Sequence, residues 1–292
     1  MKILITGGSG FIGRNLVEYL SDKYEVLAPT HQELDFTDEI ATTLFLKNHY
    51  FDVIIHAAVR PGHRNSKDPT NQLFYNMRMF INILRNNDRF GKLILTGSGS
   101  VYDIRENIFN VSEDDFDKRV PNDEHGFSRY LFAKYAQGND RIIDLRLFGI
   151  FGKYEDYAIR FISNAICKTI FDLPISLRQN RVFSYLYIDD FMPIVDYFIV
   201  NNPQYNSYNI VPTNHVDLLT IAEKVRSISG KDLPIVVCKE GFGLEYTGNN
   251  QRLLSEMNNI SFSSIDSAIK KLYGWYSNNK QLINRDFLLV DK

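Results

Sequence analysis

The chain has little of what would place it in a specialised class. Its 292 residues include two cysteines, Cys167 and Cys238, far apart and in no CxxC spacing. Neither a disulfide framework nor a cysteine-based metal site can be built from them. Six histidines in no HxxxH or HExxH spacing offer no other metal-ligand set, so no metal is expected. Charge bias is missing too: 33 Lys and Arg against 35 Asp and Glu give a net charge of −2, without the basic excess of a nucleic-acid binder. No apolar run reaches the ~18 residues of a membrane helix, and Asp196 splits the best stretch, Phe191 to Val200. The opening MKILITGG enters a strand-like run and a glycine turn with no leader pattern, so a cytoplasmic location is expected. At 44% hydrophobic and 23% charged, the composition is that of a globular protein.

What is present is alternation. Lys2–Thr6 reads as a strand and Phe11–Ser21 as a helix with one apolar side. Glu25–Ala28 is a second strand, and Asp38–Asn48 a helix that Thr37 or Asp38 can cap. Asp52–His56, Lys92–Thr96 and Ile142–Leu147 are further strands, with a helix over Gln72–Asn86. Strands rich in Ile, Leu and Val separated by helices predict a parallel sheet covered on both faces. In the second half, Phe183–Ile188 and Ser207–Val211 read as strands. Arg160–Cys167, Asp189–Val200, Asp217–Ser229 and Ser264–Ser277 read as helices, and Asn249-Asn250 as a helix start running to Met257. The fold class is therefore α/β: a doubly wound parallel sheet of the Rossmann type with a smaller α/β lobe. The expected division is 1–155 plus about 181–213 for the sheet core, and about 156–180 plus 214–292 for the lobe.

Gly7-Gly8-Ser9-Gly10-Phe11-Ile12-Gly13 joins the first strand to the first helix. Glycines there serve a tight turn, close approach of backbone to a pyrophosphate, and helix-on-strand packing. The helix start then faces the phosphates with unpaired N–H groups. These residues resemble the extended short-chain dehydrogenase/reductase family of nucleotide-sugar epimerases, dehydratases and 4-ketoreductases, over nearly the whole chain. The resemblance implies a cofactor site of Gly7, Gly10, Phe11, Ile12, Gly13 and Arg14. It adds Asp35 and Phe36, taken to follow a third short strand, at the adenine. Ala57, Ala58 and Val59, taken to follow a fourth, lie at the ribose, with Asn76 on the next helix. Ser98 holds the family's catalytic Ser/Thr place, with Ser100 beside it toward substrate. Bland alternatives stand beside each: a helix-start Asp, a solvated Asn, a turn Ser.

The chemistry the resemblance implies depends on Tyr-x-x-x-Lys at a helix start, where the Tyr transfers a proton and the Lys holds the nicotinamide ribose. Tyr130 and Lys134 have that spacing. The context Pro121 to Tyr130, however, resembles Pro-x-Asp-x-Tyr-Gly-x-Ser-Lys-Tyr, which sets His125 at the Tyr place and Arg129 at the Lys place. Geometry favours the same choice. A helix ending near Gln137 is about 12 Å long if it starts at Tyr130 and about 20 Å if it starts at His125, long enough to cover a strand. Positions 125 and 130 lie about 140° apart, so the two pairs cannot face one site. His is a competent acid and base near neutral pH; Arg keeps the charge but relays no proton. An exposed helix-start pair remains the alternative for His125 and Arg129.

An NAD-preferring unit usually ends its second strand in an acid. Here the run is Leu27-Ala28-Pro29-Thr30-His31, with no acid before Glu33. His31 and Arg14 therefore favour NADP(H) over NAD(H), and with it net reduction of a ketosugar. Gly99 and Ser100 stand where dehydratases carry an acidic pair, which disfavours dehydration. Arg178, Arg181 and Arg252 are candidates for a sugar-nucleotide diphosphate, or plain surface charges. Arg60, His63 and Arg64 lie in a loop expected to overhang the sugar. The leading reading is an NADP(H)-dependent reductase of a nucleotide-linked 4-ketosugar. The others are an NAD-dependent 4-epimerase and a dinucleotide-binding protein without turnover. By resemblance, a homodimer is expected through Gln72–Asn86 and Phe127–Gln137, with Leu73, Phe74, Phe80 and Ile81 supplying apolar surface.

Overall fold

A computed structural model describes residues 1–61 and 70–290. The first half runs β1 (Lys2–Thr6), α1 (Phe11–Leu20), β2 (Glu25–Leu27), α2 (Glu39–Lys47), β3 (Phe51–His56), α3 (Gln72–Leu84), β4 (Phe90–Ser98), β5 (Ile108–Val111), α4 (Glu124–Ala136) and β6 (Ile142–Leu147). Then follow β7 (Gly149–Phe151), α5 (Phe161–Ile170), β8 (Ile175–Asn180), β9 (Val182–Phe183), β10 (Tyr185–Tyr187), α6 (Ile188–Val200) and β11 (Ser207–Ile210). The chain closes with β12 (Val216–Asp217), α7 (Leu218–Ser229), β13 (Ile235–Phe242), β14 (Tyr246–Gly248), α8 (Gln251–Glu256) and α9 (Ile265–Asn278).

The central sheet has the order β11-β6-β4-β3-β1-β2, every pair parallel. Alternation along each strand splits the core between its two faces. Ile3, Ile5, Val53, Ile55, Ile94 and Leu145 go to one side, and Leu4, Ile54, Leu93, Leu95 and Ile142 to the other. Both faces are apolar because helices cover both, as the sequence pattern requires. The strand order reverses at β1, with β2 on one side and β3 on the other, and at such a switch point the carboxyl ends of strands leave a ligand crevice. Asp38 caps α2 by accepting from the Ile40 and Ala41 amides.

Three local expectations are corrected. Only β1 and β2 precede Asp35-Phe36, and Phe51–His56 is the third strand, not a fourth. Phe183–Ile188 is not one strand. It breaks at Ser184, whose hydroxyl bonds the His215 ring at 2.9 Å and accepts from the Gly248 amide at 3.1 Å. Phe183 on one side pairs with β12 and β14, while Tyr185 on the other pairs with β7. Phe80 adds nothing to an apolar surface: it is buried and stacks on Phe132 at 4.2 Å between centroids.

Candidate active site

The turn after β1 is built from backbone. Gly7 has φ +71°, and a Cβ there would lie 2.7 Å from Ala58, so the turn sits against the end of β3 at the switch point. A Cβ on Gly13 would come within 2.1 Å of the Gly7 carbonyl oxygen, so α1 packs directly on the turn. Gly10 differs. A Cβ there meets only the Gly7 carbonyl oxygen, at 3.3 Å. Among the described residues no other atom beyond its chain neighbours and its own helix lies within 4 Å of that position, which is what a group approaching from outside requires.

The residues after β3 are pinned from two directions. The Thr6 hydroxyl bonds the buried His56 ring at 2.8 Å and accepts from the Ala58 amide at 3.1 Å. Asn76, on α3, accepts from the Arg60 amide at 2.8 Å. The Arg60 guanidinium lies 4.4 Å from the Tyr75 ring centroid. Asp35 accepts from both the amide and the hydroxyl of Thr37, and the buried Phe36 packs beneath it. Val59 is exposed, as is His31, which stands 3.8 Å from Asp35. Arg14 does not reach out alone: its guanidinium stacks 3.7 Å from the Tyr154 ring centroid, with Nε 3.5 Å from Glu18.

Across the sheet, β4 ends in a turn where Ser98 accepts from the Ser100 amide at 3.2 Å. The start of α4 presses on this turn through Gly126, where a Cβ would lie 3.1 Å from the Ser100 carbonyl oxygen and 2.8 Å from Asp123. Asp123 caps the helix by accepting from the Gly126 amide. This contact sets the start of α4, where His125 directly precedes Gly126, against the Ser98–Ser100 turn. Burial and the Arg129 charge push the His125 imidazole down to about 4, against the opposing pull of Asp123. One helical turn on, Arg129 is buried with its guanidinium 5.5 Å from the Phe132 centroid. Burial pushes it down to about 10 against the pull of Asp144.

Tyr130 and Lys134 go elsewhere. The Tyr130 hydroxyl donates to Asp117, and the Lys134 ammonium bonds the other oxygen of the same carboxylate at 2.6 Å. Tyr130 stacks between Phe116 and Phe127. The two pairs thus leave the helix on different sides, as their spacing requires.

The arginines considered for a diphosphate do not converge. Arg178 is exposed on β8. Arg181 donates to the Leu244 carbonyl at 2.7 Å. Arg252 bonds Asp114 at 2.6 Å and Ser207 at 3.3 Å. His63 and Arg64 lie outside the described residues. Tyr246, on β14, interacts with Ser98. Sequence reasoning passed over Arg160, which leads into α5 and acts on His125, Tyr185 and Tyr246. It sits in no motif. At Gly149, on β7, a Cβ would meet the Tyr185 ring at 2.9 Å, so the close pairing of β7 with β10 excludes a side chain.

A nicotinamide dinucleotide fits this arrangement. The outer side of Gly10 is open, and the buried Asn76 Nδ2, Ser100 Oγ, and Arg129 Nε and Nη1 have no hydrogen-bond partner among the described residues. A family profile described as the NAD dependent epimerase/dehydratase family matches residues 3–211. The chain belongs to that epimerase/dehydratase family. Its members are NAD(P)-dependent enzymes, and so is this chain. Among curated relatives of this family, the GDP-L-colitose synthase of Yersinia pseudotuberculosis is 25% identical, covering 96% of this chain and 99% of its own. Two solved structures share the fold. The UDP-glucose 4-epimerase of Thermotoga maritima superposes with a TM-score of 0.82 at 17% identity, covering 97% of this chain and all of that one. The GDP-mannoheptose C4 reductase of Campylobacter jejuni, with NADP bound, gives 0.78 at 19% identity over 94% of this chain and 98% of that one.

Proposed function

We propose that the chain is an NADP(H)-dependent reductase of a nucleotide-linked 4-ketosugar, working in the synthesis of surface-polysaccharide sugars. The observation that carries this reading lies at the end of β2. The nearest acid, Glu33, is bonded into its own turn, accepting from the Thr30 amide at 2.8 Å and the Thr30 hydroxyl at 2.9 Å. No acid stands at the strand end itself, and the exposed His31 lies in the segment that would face a 2′-phosphate. Arg14, stacked on Tyr154, carries less of this argument than its sequence position suggests. A cofactor carrying that phosphate favours net reduction over redox-neutral epimerisation. Dehydration is disfavoured on space as well: a side chain at Gly99 would meet the Phe148 ring at 2.8 Å.

In this reading Gly7, Gly10, Phe11, Ile12 and Gly13 hold the pyrophosphate, and Asp35 and Phe36 the adenine. Ala57, Ala58, Val59 and Asn76 line the ribose side. The cofactor supplies the hydride. Arg129 donates to hydroxyls of the nicotinamide ribose, and Ser98, with Ser100 beside it, hydrogen-bonds the sugar oxygen at C4. His125 delivers the proton to that oxygen. Residues about 156–180 and 214–292 form the substrate side and the rest the cofactor side. The exposed Phe74 and Ile81 of α3 and Tyr135 of α4 support pairing of two copies through these helices.

The test is consumption of NADPH and NADH by the purified protein with a panel of nucleotide-linked 4-ketosugars. NADPH-dependent alcohol formation supports the reading. Interconversion of two sugars by tightly held NAD, with no net consumption, makes it a 4-epimerase. Cofactor binding without turnover of any sugar makes it a binding protein.

A further inference from the structure

Beneath α4, on the same face of the sheet, two strand residues carry opposite charges in full burial. Asp144 and Arg146 alternate with the apolar residues of β6 and point toward α4, while Ile143, Leu145 and Leu147 point into the opposite core. Arg146 is satisfied twice. Its Nε donates to Asp144 Oδ2 at 2.8 Å and its Nη1 to the Tyr102 hydroxyl at 2.8 Å, and that hydroxyl in turn donates to Asn209. Arg129 enters the same region from the helix. It forms no ion pair with Asp144 within 4 Å, but the two charges act on each other across a longer gap, and Arg129 Nε and Nη1 have no hydrogen-bond partner among the described residues.

An uncompensated guanidinium in a dry interior is expensive, and a single carboxylate shared between two cations offsets part of that cost. Room for the carboxylate is made on the neighbouring strand. A Cβ at Gly97 of β4 would lie 2.0 Å from Asp144 Oδ1 and 3.2 Å from the Leu145 carbonyl oxygen. The glycine at 97 therefore has a steric reason that the cofactor loop does not supply.

We propose that Asp144 is a positioning residue: paired with Arg146 and facing Arg129 beneath α4, with its clearance provided by Gly97, it keeps the Arg129 guanidinium aimed at the nicotinamide ribose. This rests on the assignment of Arg129 to that ribose. Asp144 touches neither cofactor nor substrate. It acts through Arg129, and Gly97 acts through Asp144.

The experiment is a double-mutant cycle read as NADPH dissociation constants, with thermal melting of each variant as the folding control. Asp144→Asn keeps the shape and removes the charge. It is expected to weaken NADPH binding about tenfold in the native background and less than twofold in an Arg129→Met background, because the group it serves is then gone. Gly97→Ala displaces the carboxylate without neutralising it and gives the same background-dependent loss. It carries the test if Asp144→Asn does not fold. Equal losses in both backgrounds, or no loss in a folded variant, overturn the proposal while leaving Arg129 in place. If Arg129→Met itself leaves NADPH affinity unchanged, the ribose assignment fails, and the proposal with it.

Discussion

The two sides of α4 invite comparison. On its outward side Tyr130 and Lys134 share Asp117, and the buried ring of Tyr130 packs between two phenylalanines. Facing the sheet ends, His125 is half-buried and Arg129 fully so, both shifted toward their neutral forms by burial, and two guanidinium nitrogens lack partners among the described residues. Both pairs share one spacing, and the pair with the family's residue types sits where each side chain is bonded to Asp117. A pair with the wrong letters sits where bonding is incomplete. Polar groups left unsatisfied inside a folded chain cost stability, and they persist where something else completes them. The comparison therefore points to the cleft side as the working side.

The largest effect should come from the cofactor loop that serves that side. Gly10→Asp puts a carboxylate into the open side of the turn, against the pyrophosphate, and should abolish NADP(H) binding while melting near the native temperature. Retained affinity would remove the loop from the site. Next, His125→Ala should lower turnover by about 10²–10⁴-fold, the usual worth of a positioned general acid. Turnover within a few-fold of native would erase the functional difference between the two sides of the helix.

The pH dependence sharpens this further. With His125 pushed down to about 4, its protonated form dwindles across the neutral range. Ketosugar reduction should therefore fall as pH rises, by about tenfold per unit between pH 5 and 8, and this slope should vanish in His125→Gln. A flat native profile would show that the proton comes from elsewhere.

Burial also acts outside the dyad, which separates its effect from that of function. Glu155 is buried, donates nothing to catalysis in this reading, and accepts from the Ser163 hydroxyl at 2.6 Å. Burial raises its carboxyl to about 8 from an unfolded value near 4.5. A raised acid contributes its stability fully below the unfolded value and loses it as pH climbs toward the folded one. Native protein should lose up to a few kcal/mol relative to Glu155→Gln between pH 5 and 8. The acid-side destabilisation expected from His56 and His125, whose imidazoles are both held low, is common to the two proteins and cancels in the difference. Melting temperatures that run parallel from pH 5 to 8 would show that burial does not perturb this group.

How much of this was legible in the sequence depends on where the signal resides. The glycine turn, the β-branched strands and the amphipathic helices are local, so the central sheet and the cofactor loop follow from short stretches. Most boundaries moved by one or two residues, while α5 runs three residues past Cys167, to Ile170. The pair β8 and β13 escaped because Ile235–Phe242 is largely exposed and carries no clean alternation of apolar and polar residues. Ser184 escaped because a strand break made by a side-chain hydrogen bond to His215 has no periodic signature. Asp144 and Arg146 read as two flaws in a buried strand until Gly97 is seen beside the carboxylate. Arg160 acts on His125 only by way of a loop whose course no local pattern encodes.

The smallest expected effect is the one that most directly tests the choice between the pairs. Tyr130→Phe deletes one hydroxyl, leaves the ring between Phe116 and Phe127, and leaves Lys134 bonded to Asp117. The bond that disappears joins a phenol to a half-exposed carboxylate, where water replaces most of what is lost. Turnover and NADPH affinity should both stay within about twofold of native, and the melting temperature should move little. If instead Tyr130→Phe is inactive and His125→Ala is active, the spacing is the better guide, and Asp117 must release the phenol when substrate arrives. A silent Tyr130→Phe beside a crippled His125→Ala would mean that a proton donor is recognised here by burial and unsatisfied neighbours. The tyrosine–lysine spacing five residues further along the helix would then be a surface coincidence.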